Sequence, residues 1–291
     1  MTTTTRHALI GYGFLLPNLA GFLLFTLGPI LFSFVAGFFD WDLFSAPVFV
    51  DTANYREMLF SPQSGFWRYT LSSIAFLGIV PVQMAVALAT AWLLNENLRG
   101  TGVFKTIFFL PVVISIVSSS LVWGFLLDTE NGLLNAGLSW FGIGKIPWLY
   151  DPVWVIVGVS LLVIWQGSAF GTIVYYAALQ GIPAHLYEAA IIDGAGRWRR
   201  FRSITLPLLA PTHFFLGITG IIGALQLFAP IYVLTHENPG GAHNLIFEIY
   251  WAAYHGFRMG YASALSWVLF LIILILSLAY WRYHRHDTAF A

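Results

Sequence analysis

The sequence predicts an all-α integral membrane protein with about six transmembrane helices, and three observations predict it. Only 9% of the 291 residues are charged, 58% are hydrophobic, and the mean hydropathy is +0.78. A soluble domain of this size wets its surface with about a quarter charged residues, so the outer face of this chain must meet lipid. The charges also gather between six uncharged apolar stretches, residues 8–39, 69–94, 106–127, 153–180, 204–235 and 261–281. Each suffices for a hydrocarbon core that takes about 20 residues to cross. Finally, Lys and Arg fall unevenly on the two sides that six spans define.

The first stretch is far longer than the apolar core of a cleaved signal peptide, about 7–15 residues, and runs on through Pro17 and Pro29. It is expected to be a retained span. Kinks are expected near Pro29, Pro81 and Pro230, because a proline inside a helix removes a hydrogen bond and crowds the preceding turn. Six spans place both termini on one side, with the connections after spans two and four. That side holds Arg6, Arg99, Lys105, Arg197, Arg199, Arg200, Arg202, Arg282 and Arg285, nine of the 13 basic residues. The other side holds Arg56, Arg68, Lys145 and Arg258. The excess predicts cytoplasmic termini. Trp41, Trp67, Trp140, Trp148 and Tyr150 in the outer connections fit the aromatic belt that anchors spans at headgroup level.

The whole chain, 1–291, reads as a single transmembrane domain: a first span with its outer loop over 1–67, then a five-helix core over 68–291. Balanced charge, 13 basic against 13 acidic residues, excludes a strong field for nucleic acid. With no cysteine there is no disulfide, thiolate metal site or cysteine nucleophile. The histidines and acids of the last outer connection, His236, Glu237, His243, Glu248 and His255, lack the convergent spacing of a zinc site, so no metal is expected.

Residues 181–211, between spans four and five, read GIPAHLYEAAIIDGAGRWRRFRSITLPLLAP. Pro183 suits a helix start, where its missing N–H would be unpaired anyway. Residues 184–191 are good or tolerable helix formers, Asp193-Gly194 is a turn pair, and a second short helix follows from about Gly196. The result is a helix-turn-helix with small and apolar groups on one face (Ala189, Ala190, Ile192, Ala195) and a basic remainder. The positive-inside asymmetry accounts for the arginines one by one, but not for the order Glu-Ala-Ala and Asp-Gly-Ala.

Glu188-Ala189-Ala190, Asp193-Gly194-Ala195, Trp198, Phe201, Ile204, Leu206-Pro207 and Pro211 resemble the EAA signature of ATP-binding-cassette importer permeases. More narrowly, they are similar to the sugar-uptake branch that contains the maltose and glycerol-3-phosphate permeases. Phe39-Asp40-Trp41 with Asn54-Tyr55 resembles that family's first outer loop, and residues 260–266, GYASALS, the start of its last span. One departure is Phe49-Val50-Asp51-Thr52-Ala53 ahead of the Asn-Tyr pair, where the family more often has a Gly-Leu step.

The resemblance implies a division of labour. Two permease subunits, in this branch usually different chains, form the pathway. A dimeric cytoplasmic ATPase hydrolyses ATP, and an extracytoplasmic binding protein delivers the solute. The segment 181–207 becomes a cytoplasmic coupling helix, with Glu188, Ala189, Ala190, Asp193, Gly194 and Ala195 docking in the ATPase. The implied location is a bacterial or archaeal cytoplasmic (inner) membrane.

This chain carries no phosphate-binding Gly-Lys loop and no H-E-x-x-H or G-x-S-x-G motif. It is therefore expected not to be an enzyme and to hold no cofactor, with ATP and Mg on the partner. The spans contain no acid, Lys or Arg. That opposes the rival reading, an ion-coupled secondary transporter, which usually needs an embedded carboxylate or broken-helix ion site. The uncharged hydroxyls and amides suit a neutral sugar, and Gln166, Tyr175 and Gln226 are the candidates for its pathway. Interhelical hydrogen bonding, about 0.6 kcal/mol on average in membranes, explains each equally well when taken alone. Gly217, Gly220 and Gly223 predict close helix packing in span five.

Overall fold

The computed structural model describes residues 3–96 and 100–284, with side chains from Tyr12 onward. Arg99, Arg285, His286, Asp287 and the side chain of Arg6 lie outside the described residues.

The first span comprises α1 (Thr3–Phe22), a widened turn over Leu23–Leu27, and α2 (Gly28–Ala36). Pro29 offers no N–H to the preceding turn. The helix widens just before it, and the Gly28 N–H reaches the Leu23 carbonyl five residues back. The same solution recurs over Phe201–Thr205, where the Leu206 N–H reaches the Phe201 carbonyl just before Pro207. Such single wide turns let a proline ring enter a helix without breaking it.

Next, β1 (Phe39–Asp40) pairs antiparallel with β2 (Val48–Phe49), Phe39 opposite Phe49. Between them the Asp42 carboxylate accepts the Ser45 N–H at 2.8 Å and the Phe44 N–H at 3.0 Å. These bonds, Ser45 first, hold its carboxyl below the ordinary range. α3 (Ala53–Phe60) follows.

α4 (Phe66–Ala75) and α5 (Ile79–Asn95) join through a tight turn at Phe76–Gly78 into one 30-residue span. α6 (Thr101–Val113) and α7 (Ile116–Leu126) meet at 104°, and α8 (Leu133–Ser139) follows. α9 (Trp154–Gln180) is an unbroken span of 27 residues. Then come α10 (Ala184–Ile192), α11 (Arg197–Arg200), α12 (Leu206–Leu208) and α13 (Ala210–Leu225), with a 64° bend ahead of α13. α14 (Ala229–Leu234), α15 (Leu245–Tyr254) and α16 (Met259–His284) complete the described chain. Among the described residues four helices are long and apolar enough to cross a membrane alone, and up to six crossings result if each bent pair is one span.

Two of the expected stretches are subdivided. Residues 106–127 form no straight helix, because Ile114 and Ser115 are extended between α6 and α7. Residues 204–235 break at Gln226, where α13 ends. There the Asn244 amide takes the Leu227 carbonyl at 2.7 Å, and α14 starts afresh with Pro230 in its first turn. Both breaks leave carbonyls without helical partners, and distant side-chain amides satisfy them. Hydropathy cannot register such a break.

The contacts divide the chain into two compact units, Met1–Phe66 with Glu248–Phe270, and Trp67–Phe247 with Leu271–Ala291. The first gathers the two other regions of family resemblance. The Asn54 amide donates to the Gly37 and Phe39 carbonyls, each at 3.0 Å. Gly260 lies against the Phe39 carbonyl so closely that any Cβ would clash with it. Arg258 closes the unit with a two-pronged pair to Glu57 at 2.9 and 2.6 Å.

In the second unit α5 and α9 form the central seam. A Cβ on Gly171 would stand 2.8 Å from that of Ala87, and one on Gly167 2.6 Å from the Gln83 amide. Small residues permit this approach, and close packing is what holds helices together where lipid removes the hydrophobic drive. In α13, Gly217 lies directly beneath the Tyr280 hydroxyl and Gly220 beneath Val80, but Gly223 meets nothing within 4 Å. Close packing therefore holds for two of the three glycines, and α13 stays regular through them.

Candidate functional site

The segment between α9 and α13 forms the helix-turn-helix its sequence predicts. Pro183, extended at φ −60° and ψ 128°, stands at the N-cap of α10. At the other end Gly194 adopts φ +75°. The Gly194 N–H donates to the Ile191 carbonyl at 3.0 Å and the Ala195 N–H to the Ala190 carbonyl at 2.8 Å. This pair of bonds is the Schellman closure, which needs a left-handed residue at the position after the cap and so favours glycine. Asp193 is the capping residue itself.

Glu188, Ala189, Ile191, Ile192, Asp193 and Gly194 are exposed, with Ala190 and Ala195 partly covered. Ile192 is 87% and Trp198 67% exposed. Glu188 and Ile192, four residues apart, share one face of α10. The segment is braced on its inner side. Arg197 pairs with Glu96 at 2.6 Å and lies over the Trp92 ring at 4.7 Å, and the Tyr187 and Thr205 hydroxyls meet at 2.9 Å. Gln180 donates to Asn95 at 2.6 Å. The arrangement is a two-helix projection braced against the ends of α5 and α9, with a small and apolar tip. Trp92, Asn95 and Glu96 were not singled out from sequence. A signal was present, since Glu96 is one of few acids on the side richer in arginine, but its partner lies 101 positions away in the chain.

The three pathway candidates do not converge. Gln166 sits in the middle of α9 and donates to the Ile114 carbonyl at 2.8 Å and the Pro111 carbonyl at 3.3 Å. It braces the break between α6 and α7. Tyr175 is nine residues further along, which at about 100° per residue is the opposite face of the helix. It is fully buried in the wall of a cavity of about 660 Å³. Gln226 ends α13 and is exposed.

Among the described residues no cluster of three His, Asp or Glu could hold a metal ion. His243 stacks on Tyr69 at 4.0 Å and His255 on Trp251 at 4.0 Å, so both belong to aromatic contacts.

The described residues thus form a multi-span helical protein with an exposed helix pair between α9 and α13. Residues 83–286 match the family model described as binding-protein-dependent transport system inner membrane component, and the chain belongs to that family. It is 34% identical to a probable ABC transporter permease protein, YesP, of Bacillus subtilis, over 96% of this chain and 94% of that one. It is also 34% identical to the trehalose/maltose transport system permease protein MalF of Thermococcus litoralis (96% and 95% covered) and to the lactose transport system permease protein LacF of Rhizobium radiobacter (95% and 96%). Among solved structures it is similar to a chain of a bacterial ABC transporter that imports the acidic polysaccharide alginate. The TM-score is 0.81 at 26% identity, covering 97% of this chain and 96% of that one. The chain is a permease component of an ATP-binding-cassette transporter and a multi-pass protein of the inner membrane.

Proposed function

We propose that this chain pairs with a second, different permease chain to form the pathway of a carbohydrate importer, driven by a dimeric cytoplasmic ATPase that docks on α10. An extracytoplasmic binding protein delivers the solute. The observation that carries the coupling role is the tip of α10, where Ala189 and Ile192 are small or apolar without being buried among the described residues. Ala189 is exposed, and Glu188 beside it is exposed as well. Ile192 stands in the open at 87% exposure. Away from lipid, such a surface suits a protein partner. The alginate importer, also crystallised with a pentasaccharide-bound periplasmic protein, and the sugar permeases among the relatives support the carbohydrate reading. So does the uncharged character of the spans.

In this reading Glu188 meets a basic group of the ATPase. The braced helix pair transmits ATPase closure to α9 and α13 as a rigid lever, one of the standard switching motions. The termini and the α10 segment are cytoplasmic, in keeping with the basic residues around them.

The test is Glu188→Lys in the complex reconstituted with its ATPase and binding protein. Substrate-stimulated ATP hydrolysis should fall to the basal rate, while membrane insertion and thermal stability stay unchanged. Full stimulation in this variant would remove the coupling role. Loss of insertion would show that Glu188 serves folding instead.

A further inference from the structure

A second cavity, of about 520 Å³, lies at the end of α9 remote from the α10 segment. Val155 in the first turn of α9 and Leu234 in the last turn of α14 are its buried floor. α9 has 27 residues, so at about 1.5 Å each some 40 Å separates this cavity from α10.

The rim is polar, and the fold does not use up its polar groups. Asp128 closes the turn after α7 with Oδ1, which accepts the Asn131 N–H at 2.7 Å and the Glu130 N–H at 3.1 Å. Its Oδ2 accepts nothing among the described residues. His236 and Asn238 also line the cavity, both exposed, and neither side chain is hydrogen-bonded among the described residues. Tyr150 joins them at 76% exposure.

The backbone carries strain at this rim. α14 ends at Leu234, and His236 and Glu237 then take φ +47° and +66°. Left-handed backbone is unfavourable outside glycine, and such strain gathers at ligand clamps. The Glu237 carboxylate is taken by the Tyr232 hydroxyl at 2.6 Å, which leaves His236 and Asn238 as the groups this turn brings to the cavity.

An apolar floor under unpaired donors and acceptors fits a sugar. Its C–H faces can lie on Val155, Leu234 and the Tyr150 ring, while its hydroxyls replace lost water with bonds to Asp128, His236 and Asn238. A metal ion fits poorly, since no three His, Asp or Glu converge among the described residues. An anion is opposed by the Asp128 carboxylate, and no Lys or Arg lines the cavity to offset it.

We infer that this cavity is a subsite for a neutral carbohydrate, at the opposite end of the chain's long spans from the coupling segment. The inference rests on the carbohydrate-importer reading. It adds the residues that hold the solute and a preference for neutral over uronic sugars.

The chain has no cysteine, so Val233→Cys, on the cavity wall, places a single thiol there. The full complex with its partner permease and ATPase is reconstituted in nanodiscs. Labelling of this chain by a small charged methanethiosulfonate is timed with maltose, trehalose or lactose added, and uptake of the same sugars is measured in proteoliposomes with the binding protein. A sugar that is taken up should slow the labelling severalfold. Leu133→Cys, exposed on α8 and outside the cavity, should react at an unchanged rate. Asp128→Asn, added to Val233→Cys, keeps Oδ1 for the turn and turns the free oxygen into an amide. Half-protection should then need about tenfold more sugar, the weight of one hydrogen bond to a charged group. A disaccharide of uronic acids should protect more weakly than the neutral sugar.

Uptake without protection of the thiol, or a thiol that never reacts, would overturn the site and leave the importer reading standing. Uptake of none of the three sugars would overturn the carbohydrate reading and the site with it. If sugar-free binding protein protects as well as sugar alone, the cavity is a protein docking site and the inference falls. Unchanged half-protection in Asp128→Asn would remove the carboxylate from the site, and equal protection by the uronic disaccharide would remove the preference.

Discussion

The seam between α5 and α9 and the tip of α10 are both built from small residues, for opposite reasons. In the seam, Gly167, Gly171 and Ala87 are small because another helix lies on them, and a Cβ at Gly171 would already stand 2.8 Å from Ala87. At the tip, Ala189 is exposed and Ala190 only partly covered, and Gly194 is required by its own backbone at φ +75°. Smallness in the seam is explained within the chain. At the tip, the turn is explained within the chain, and exposed Ala189 is accounted for only by the proposed docking of the ATPase.

Four substitutions sharpen this contrast, ordered by their expected effect on folding. Gly171→Leu should be the most damaging, destabilising the purified protein by about 3 kcal/mol, the upper part of the overpacking range. Fluorescence-detected size exclusion after heating would register it, and a wild-type melting curve would mean that the seam is looser than its distances imply. Gln166→Ala should cost about 2 kcal/mol by leaving the carbonyls at the α6–α7 break unpaired, read by the same assay. If stability is untouched but transport is lost, Gln166 belongs to the pathway after all and not to the brace.

Gly194→Ala should cost about 1 kcal/mol through left-handed strain. Because that strain loosens the end of α10, co-purification of the ATPase should weaken more than stability does. Equal loss of both would make the tip an ordinary structural turn. Gln226→Ala, at an exposed helix end, should change stability by less than about 0.5 kcal/mol, so any fall in sugar uptake by this variant reports on the pathway alone. Normal uptake would remove Gln226 from it.

The contrast also separates what was legible in sequence from what was not. The helix-turn-helix between α9 and α13 was legible because its logic is local. Pro183 starts the helix, Asp193-Gly194 ends it, and the Schellman bonds link residues no more than five apart. The membrane class was legible for a similar reason, since hydropathy sums along the chain and needs no partner. Gln166 read as a pathway candidate because an intramembrane amide is conspicuous. Its acceptors, Pro111 and Ile114, are more than 50 positions away. The break they flank carries no charge and no interruption in hydropathy. Likewise, Tyr175 was visible as a polar ring in a span, but nothing local states that it is fully buried beside an apolar cavity.

By itself, then, the sequence determined the membrane environment, the number of apolar stretches and the form of the α10 segment. These follow from transfer free energies and backbone preferences, which act residue by residue or within one turn. Only the tertiary structure decided that two of those stretches are broken and which glycines are close contacts. It also decided that Asn54 and Gly260 hold one unit while Gln166 holds the other's broken span, and that Tyr175 and Tyr280 share a cavity. Each of these depends on an atom from a distant part of the chain arriving within hydrogen-bonding or van der Waals distance. Such arrivals are settled by packing, because interactions of this range have no energy until the partner is in place.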